Sequence, residues 1–316
     1  MDKPKLIMLV GIPGSGKTSW AEKFAQEKEG VKILSSDKIR DSMFGEDEEA
    51  HSGEKNARVF RELNRQAREN LQNGISVVYD ATNLNKNKRC TYLRSIKDLD
   101  CEKICVLFAT DYETCKERNA KTPREIIRKM YTTFQPPHSA EGWDAISIVY
   151  DFGDKDYDTD ELIHRMDNFD QQNPHHKYSL LEHQRLAGEY ILKRSTNSLL
   201  HFAAMFHDIG KLKTKKVDEN GEAHYFQHHC VGSYDSLLYM ENFLPMKEGS
   251  VIHDTEVLEI SNFIYYHMHP FMSWAESEKA RKRDMELLGE KRFNEILLLH
   301  EADVFASGTR REGDKK

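Results

Sequence analysis

The chain has 316 residues, 38% hydrophobic and 31% charged, with a formal net charge of −7. That length supplies roughly two domains of about 150 residues, each with a modest core. No apolar run approaches the ~20 residues that span a bilayer and no signal-peptide pattern opens the sequence, which excludes membrane and secreted classes and makes the cytoplasm the expected location.

The acidic balance also excludes a general nucleic-acid coat, so any polyanion site must be a local basic groove. Five cysteines (Cys90, Cys101, Cys105, Cys115, Cys230) form no CxxC pair, as suits a reducing compartment. In chain order, five short apolar runs occupy Lys5–Val10, Val31–Leu34, Ile75–Tyr79, Ile104–Ala109 and Ile146–Tyr150. Longer helical patterns separate them, so the first half reads as an α/β domain, a parallel sheet with helices on both faces. Asp151–Asp160 (DFGDKDYDTD) is acidic and aperiodic, which marks a domain edge. Beyond it the apolar residues recur at helical spacing, as in Leu180, Leu181, Leu186, Ile191 and Leu192, and the second half reads as all-α. The expected division is 1–152, a linker over 153–164, and 165–316.

Gly11-Ile12-Pro13-Gly14-Ser15-Gly16-Lys17-Thr18 fits GxxxxGK[ST] between the first apolar run and a helical pattern. Glycines let successive backbone N–H groups turn onto phosphates, and the helix N-terminus adds its positive end. Gly11, Pro13, Gly14, Ser15 and Gly16 are therefore expected to cradle ATP or another nucleoside triphosphate. Lys17 is expected to reach its β- and γ-phosphates and Thr18 to ligate Mg²⁺. Asp37 and Arg40 follow the second run, at the sheet edge where open α/β folds bind ligands. An Asp there can take a proton from a hydroxyl and an Arg can grip a phosphate; a helix cap with a solvated Arg is the alternative. Asp80, ending the third run in Asp80-Ala81-Thr82-Asn83, is a candidate for the Mg²⁺ hydration shell or for a helix cap.

This ordered set, with Arg118-Asn119 and the stretch from Phe134 to Asp144 (FQPP…EGWD), resembles the 5′-OH polynucleotide kinases of phage and bacterial RNA-repair systems. The resemblance covers about residues 1–150. It implies that Asp37 is the general base on a ribose 5′-OH, that Arg40 binds the acceptor's phosphate, and that Arg118 belongs to a lid over the donor. It also implies a second lid arginine, where this sequence has Ala120-Lys121-Thr122-Pro123. Arg124 is the candidate replacement, the alternative being a surface residue at a helix start. Between Asn56 and Leu71 a helical pattern puts Phe60, Leu63, Ala67 and Leu71 on one face. Arg58, Arg61, Arg65 and Arg68 line a neighbouring face, favouring a solvated, Glu-paired surface over a rail for phosphates.

Thirteen of the 15 histidines lie beyond residue 150, a skew that a metal site explains and a uniform surface does not. His207-Asp208 supplies an adjacent ligand pair, which needs distant partners to complete it. His183, His229, His267 and Asp303 are the candidates. The ordered series, carried by Gln172–His183, His207–Lys211, Phe226–Gly232, Tyr266–Pro270 and His300–Gly308, resembles the HD phosphohydrolase superfamily, in wording closest to HD domains attached to bacterial tRNA nucleotidyltransferases. It implies a core site of His183, His207, Asp208 and Asp303, with His229 and His267 supporting a second metal and Asp208 bridging. It also implies that Lys211 neutralises a substrate phosphate. His228 and His269 leave the register of the second-metal ligands open by one or two positions. Nitrogen and oxygen ligands suit one or two of Mn, Ni, Co, Fe or Zn, which lower the pKa of water and take up phosphoryl charge.

A kinase joined to a phosphoesterase would run a futile cycle on one small molecule. On a broken RNA strand each acts on a different end, converting a 5′-OH and a 2′,3′-cyclic, 2′- or 3′-phosphate. The expected substrates are RNA ends, with DNA ends as the other candidate, and sealing calls for a separate RNA ligase. The rival expectation is a small-molecule kinase fused to a nucleotide phosphohydrolase.

Overall fold

Apolar runs whose residues are buried on both sides give parallel strands, because crossover helices cover the two faces. The computed structural model describes residues 3–45, 52–119, 121–173, 177–243 and 254–308. In it the five runs become β1 (Lys5–Val10), β2 (Val31–Ser35), β3 (Ser76–Asp80), β4 (Glu102–Thr110) and β5 (Ala145–Asp151). The sheet order is β2-β3-β1-β4-β5, every neighbouring pair parallel. β3 starts at Ser76 rather than Ile75, because the Ile75 amide donates to Asn70 O as the chain leaves the preceding helix.

Among the described residues the helices α1 (Lys17–Glu27), α2 (Ser36–Phe44), α3 (Gly53–Gln72), α4 (Lys86–Ser95) and α5 (Tyr112–Arg118) accompany the sheet, and α6 (Arg124–Thr132) follows α5. Side chains alternate across a strand, so Ile7, Leu9, Val78, Val106 and Phe108 share one face, where Ala21, Trp20 and Phe24 of α1 pack. Tyr79 points the other way, its hydroxyl donating to Asn64 of α3 at 2.8 Å and its ring 5.1 Å from Tyr92 of α4. α3 buries Val59, Leu63, Ala67 and Leu71. Val59 takes the buried place expected of Phe60, which stays half-buried. From β1 the chain goes to β2 and β3 on one side, then to β4 and β5 on the other. β1 is therefore the switch point, with a crevice beyond its carboxyl end.

One buried ion pair fastens this unit. Arg89 of α4 and Glu141 have fully buried side chains, paired through Nε–Oε2 at 2.8 Å and Nη2–Oε1 at 2.7 Å. Arg89 also donates to Asn83 O at 2.9 Å, and Trp143 Nε1 donates to Glu141 at 3.2 Å.

The chain divides into two compact units, one running to Ile127 and resuming over Glu141–Gly153. The other takes Arg128–Ala140 and the described chain from Asp154 onward. The sequence suggested one break near 152; residues 128–140 instead belong with the second unit, because their aromatic side chains pack there. Tyr131 and Phe134 meet Tyr234 edge-on at 5.2 and 5.0 Å, and Tyr131 donates to Asp235 at 2.5 Å. The expected linker likewise contributes buried Tyr157 and Leu162.

The second unit is helical: α7 (Thr159–Asp167), α8 (Leu180–Leu192), α9 (Ser198–Phe206), α10 (Lys211–Thr214), α11 (His228–Phe243), α12 (Asp254–Tyr266), α13 (Ser273–Glu276), α14 (Glu278–Leu288) and α15 (Glu290–Ala306). Ser179 caps α8 by accepting from Glu182 N, and Asn197 caps α9 by accepting from Leu199 N. It departs from an all-helical reading by a short antiparallel hairpin, Lys216–Val217 with Ala223–His224. Among the described residues no helix is long and apolar enough to cross a membrane.

Breaking a buried ion pair strands the remaining charge, at about 3–5 kcal/mol. Glu141→Gln and Arg89→Met are each expected to destabilise the sheet unit by that order in chemical denaturation. The double variant should lose less than their sum, and full additivity would contradict a coupled pair.

Candidate functional site

Beyond β1 the chain turns through Gly11–Gly16 into α1. Gly14 and Gly16 hold φ of +84° and +87°, and a Cβ on Gly14 would sit 2.2 Å from Cys115 O. No larger residue fits that turn without moving α5. Pro13 lies within the turn, Gly11 N donates to Thr82 O at 3.1 Å, and Ser15 O accepts from Thr110 Oγ1 at 3.1 Å. Lys17 Nζ donates to Ile12 O at 2.8 Å and Ser15 Oγ at 3.2 Å. Burial pulls its pKa down to about 8, against the opposing charges of Asp80, Cys115 and Asp37.

Thr18 Oγ1 donates to Asp80 Oδ2 at 3.0 Å. Burial, helped by the Asp37 charge, pushes the Asp80 carboxyl up, while Thr18 and Lys17 oppose that shift. Two hard oxygens beside a phosphate loop fit Mg²⁺. Asp80 is not the cap of the next helix: Asn85 fills that place, accepting from Lys88 N at 3.1 Å.

On α2, Asp37 has a side chain 82% exposed while Arg40 is buried. Arg40 Nη1 donates to Asp37 Oδ1 at 2.7 Å and Nη2 to Asn56 Oδ1 of α3 at 2.9 Å. Among the described residues the buried Arg40 Nε has no hydrogen-bond partner. The solvated-arginine alternative fails on that burial. No motif pointed to Asn56, since its role arises only when α3 packs on α2. Arg118 ends α5 and pairs with Asp151, holding that carboxyl below its ordinary range. Arg124 is exposed at the first position of α6, and Ala120 lies outside the described residues. Along α3, Arg65 pairs with Glu62 and Glu69, Arg68 with Asp98, and Arg58 lies 5.3 Å over Phe44. For Arg65 and Arg68 this is the carboxylate-paired surface.

In the helical unit, His183 on α8, His207 and Asp208 just after α9, and Asp303 on α15 bring ligand atoms within 4.8 Å of one another. Asp208, His228 opening α11 and His267 just after α12 form a second such group. The Asp208 carboxylate joins the two groups. Oδ2 lies 3.3 Å from His183 Nε2 and 3.5 Å from His207 Nε2, and Oδ1 lies 3.1 Å from His228 Nε2 and 3.8 Å from His267 Nε2. Asp303 Oδ1 completes the first group at 3.1 Å from His183.

His228 replaces the expected His229. It opens α11 with Nδ1 2.8 Å from Tyr225 O, which aims Nε2 at Asp208. The His229 ring turns toward Tyr265 and His269, and burial, with the His228 and His269 charges, lowers its pKa to about 3. Gly210 permits this approach: a Cβ there would stand 2.1 Å from His228 O. An HH pair at a helix start carried no signal for which ring faces inward. His175 and His176, in the quoted histidine series, lie outside the described residues.

Tautomers test the fit to metal. His207, His228 and His267 direct Nδ1 to the carbonyls of Ala204, Tyr225 and Ile264 at 2.8, 2.8 and 2.6 Å. A carbonyl only accepts, so in each neutral ring Nδ1 carries the proton and Nε2 the lone pair. His228 and His267 then face each other Nε2 to Nε2 at 3.2 Å, an arrangement that needs an electropositive centre. Burial and the His207 and His228 charges hold His267 well below the usual imidazole range. Asp208 and Asp303 stay far below the carboxylate range despite burial, chiefly through Lys211 and the histidines for Asp208 and through His183 and His207 for Asp303. Burial lowers the His183 pKa, but hydrogen bonds and charge from those two carboxylates outweigh it and lift it to about 9. Imidazoles and carboxylates around one bridging acid fit two divalent first-row metals.

Residues 6–135 match a family model described as an AAA domain, and the parallel sheet with its phosphate loop is consistent with a P-loop kinase fold, which takes a nucleotide and Mg²⁺. A similar protein is an L-seryl-tRNA(Sec) kinase of Methanococcus maripaludis, 28% identical over 171 residues, or 51% of this chain. The chain spans 64% of that relative's length. A chain of the Pnkp1/Rnl/Hen1 RNA repair complex overlays with TM-score 0.38 at 23% identity, covering 42% of this chain and 44% of its own. A fungal RNA kinase overlays with TM-score 0.36 at 13% identity, covering 49% and 79%.

Protonated Lys17 is the form that attracts phosphate, so the Kd for a nucleoside triphosphate should be flat below pH 8. It should rise by up to about tenfold per unit as Lys17 deprotonates. Lys17→Arg should flatten the profile, and an unchanged slope would refute the assignment. In metal analysis of dialysed protein, His228→Ala should lower the Mn²⁺ stoichiometry by one, while His229→Gln leaves it unchanged; the reverse would restore His229 as the ligand.

Proposed function

We propose that this protein heals broken RNA ends, phosphorylating a 5′-OH at the P-loop site and removing 2′,3′-cyclic, 2′- or 3′-phosphate at the histidine–aspartate site. The observation that carries the reading is the presence in one chain of two separate candidate sites for phosphate. One unit has a triphosphate loop with Asp37 and Arg40 at the same sheet edge, and the other has an aspartate shared by two metal-ligand groups.

In the kinase step the acceptor oxygen attacks the γ-phosphorus, Asp37 takes the hydroxyl proton and the nucleoside diphosphate leaves. Asp37 is open to an incoming end, and Arg40 fixes its carboxylate at 2.7 Å. The buried Arg40 Nε is the donor left for the acceptor's phosphate. Gly11–Gly16 and Lys17 hold the donor, Thr18 and Asp80 hold Mg²⁺, and Arg118 and Arg124 close over the transferring phosphate. The relative named as a seryl-tRNA kinase supports an RNA-linked hydroxyl as acceptor.

At the second site His183, His207, Asp208 and Asp303 would hold one metal, and Asp208, His228 and His267 the other. Bound there, Mn, Ni, Co, Fe or Zn would acidify water and absorb phosphoryl charge. Lys211 neutralises the substrate phosphate. RNA ends are the preferred substrates over DNA, sealing falls to a separate RNA ligase, and the setting is cytoplasmic.

An RNA bearing a 5′-OH and a 2′,3′-cyclic phosphate, given ATP, Mg²⁺ and Mn²⁺, tests the proposal. Lys17→Ala should abolish only 5′ phosphorylation and Asp208→Ala only 3′ conversion. If the wild type alters neither end but phosphorylates free nucleosides, the small-molecule reading replaces this one.

A further inference from the structure

Lys211 is buried with its ammonium 2.6 Å from Asp208 Oδ2 and 3.0 Å from Gln171 Oε1. Asp208 Oδ2 also faces His183 and His207, so the lysine occupies an oxygen that the first metal group uses. An ammonium and a divalent cation on one oxygen repel strongly in a buried setting. Once a cation engages Oδ2, the Gln171 amide oxygen is an acceptor that stays in place for Lys211. We infer that Gln171 is a positioning residue that holds Lys211 beside the metals and aims its ammonium at the substrate phosphate. The inference rests on the phosphoesterase reading above.

The surroundings of Gln171 are built for this role. Its side chain is buried and Nε2 donates to Tyr178 O at 3.1 Å, which obliges Oε1 to face the lysine. Its own carbonyl accepts from the Tyr225 hydroxyl, and the Lys211 ammonium lies 5.3 Å over the Tyr225 ring. The next residue, Gln172, holds φ at +42°, an uncommon conformation for a side-chain-bearing residue, and its carbonyl accepts from Ala223 N at 2.9 Å. Asn173 Nδ2 donates to Ala223 O at 3.1 Å. The hairpin strand thus pins the strained residue and the one after it, while Tyr225 holds Gln171 just before it. A neutral amide is also the right chemistry here, because it orients the ammonium without neutralising it and leaves the charge for phosphate.

Gln171→Met, Gln171→Glu, Lys211→Met and the double Met variant of the full chain separate the outcomes. Mn²⁺ affinity, inorganic phosphate binding to the Mn²⁺-loaded protein by calorimetry, and kcat/KM on RNA with a 2′,3′-cyclic end would be measured. Gln171→Met should weaken phosphate binding and lower kcat/KM by about tenfold, the scale of one charge-assisted hydrogen bond, with Mn²⁺ affinity unchanged. The double variant should be no worse than Lys211→Met, because both changes remove one function. Gln171→Glu, which keeps the shape, should also weaken phosphate by competing for the ammonium. Wild-type phosphate affinity in Gln171→Met, full additivity with Lys211→Met, or a parallel loss of Mn²⁺ binding would each overturn the inference. Failure of the phosphoesterase reading looks different: the Mn²⁺-loaded wild type would itself bind no phosphate and leave the RNA end intact, ending both.

Discussion

The helical unit is organised around a single carboxylate. Asp208 sits in the turn after α9 and meets imidazoles from α8 and from the ends of α9, α11 and α12, together with Lys211. Burying so many polar groups costs several kcal/mol unless each is paired. The pairing is arranged locally: three rings spend Nδ1 on the carbonyl three residues earlier, and Gly210 lets α10 approach α11 closely enough for His228 to reach in. Each helix end is therefore fixed by its own backbone before it contributes to the cluster. A carboxylate held ionised beside the Nε2 lone pairs of His207, His228 and His267 is an electrostatic demand for cations.

The sheet unit meets the opposite demand. Strand order places β1 at the switch point, and the turn after it collects backbone N–H groups, a helix start and Lys17 on one spot. The Arg89–Glu141 pair lies away from this chemistry yet bears on it. Arg89 holds Asn83 O, and Asn83 Nδ2 in turn donates to Leu9 O at 2.7 Å beside the loop entrance. A left-handed Asn83, φ +47°, makes that strap possible.

The sheet and the phosphate loop were legible in the sequence because local signals specify them: continuous apolar runs, glycine at left-handed turns, and a fixed motif spacing. The series of acids and histidines was legible for the same reason, each sitting in a short recognisable string. What escaped depended on packing between distant elements. The choice of His228 over His229 turns on where α11 starts relative to α10. Asn56 matters only because α3 lies against Arg40, and Gln171 only because a strained turn faces it inward. Residues 128–140 read as part of the first half, but the aromatic contacts that draw them to Tyr234 arise from residues a hundred positions later.

The two sites share a device despite opposite electrostatics. Each keeps a buried lysine on internal acceptors, Ile12 O and Ser15 Oγ for Lys17, Asp208 and Gln171 for Lys211. Neither ammonium has to be desolvated when a phosphate arrives, since burial has already removed most of its water. Only the exchange of an internal acceptor for a phosphate oxygen remains, and an anionic oxygen is the stronger acceptor. The two lysines differ in what holds them back. Lys17 leans on neutral oxygens and its pKa falls to about 8, so it is poised to gain from an anion. Lys211 faces a carboxylate, which would compete with phosphate unless cations draw that carboxylate away. Under the proposed phosphoesterase reading, the second site would therefore admit a phosphate only after its metals, whereas the phosphate loop needs no such prior step.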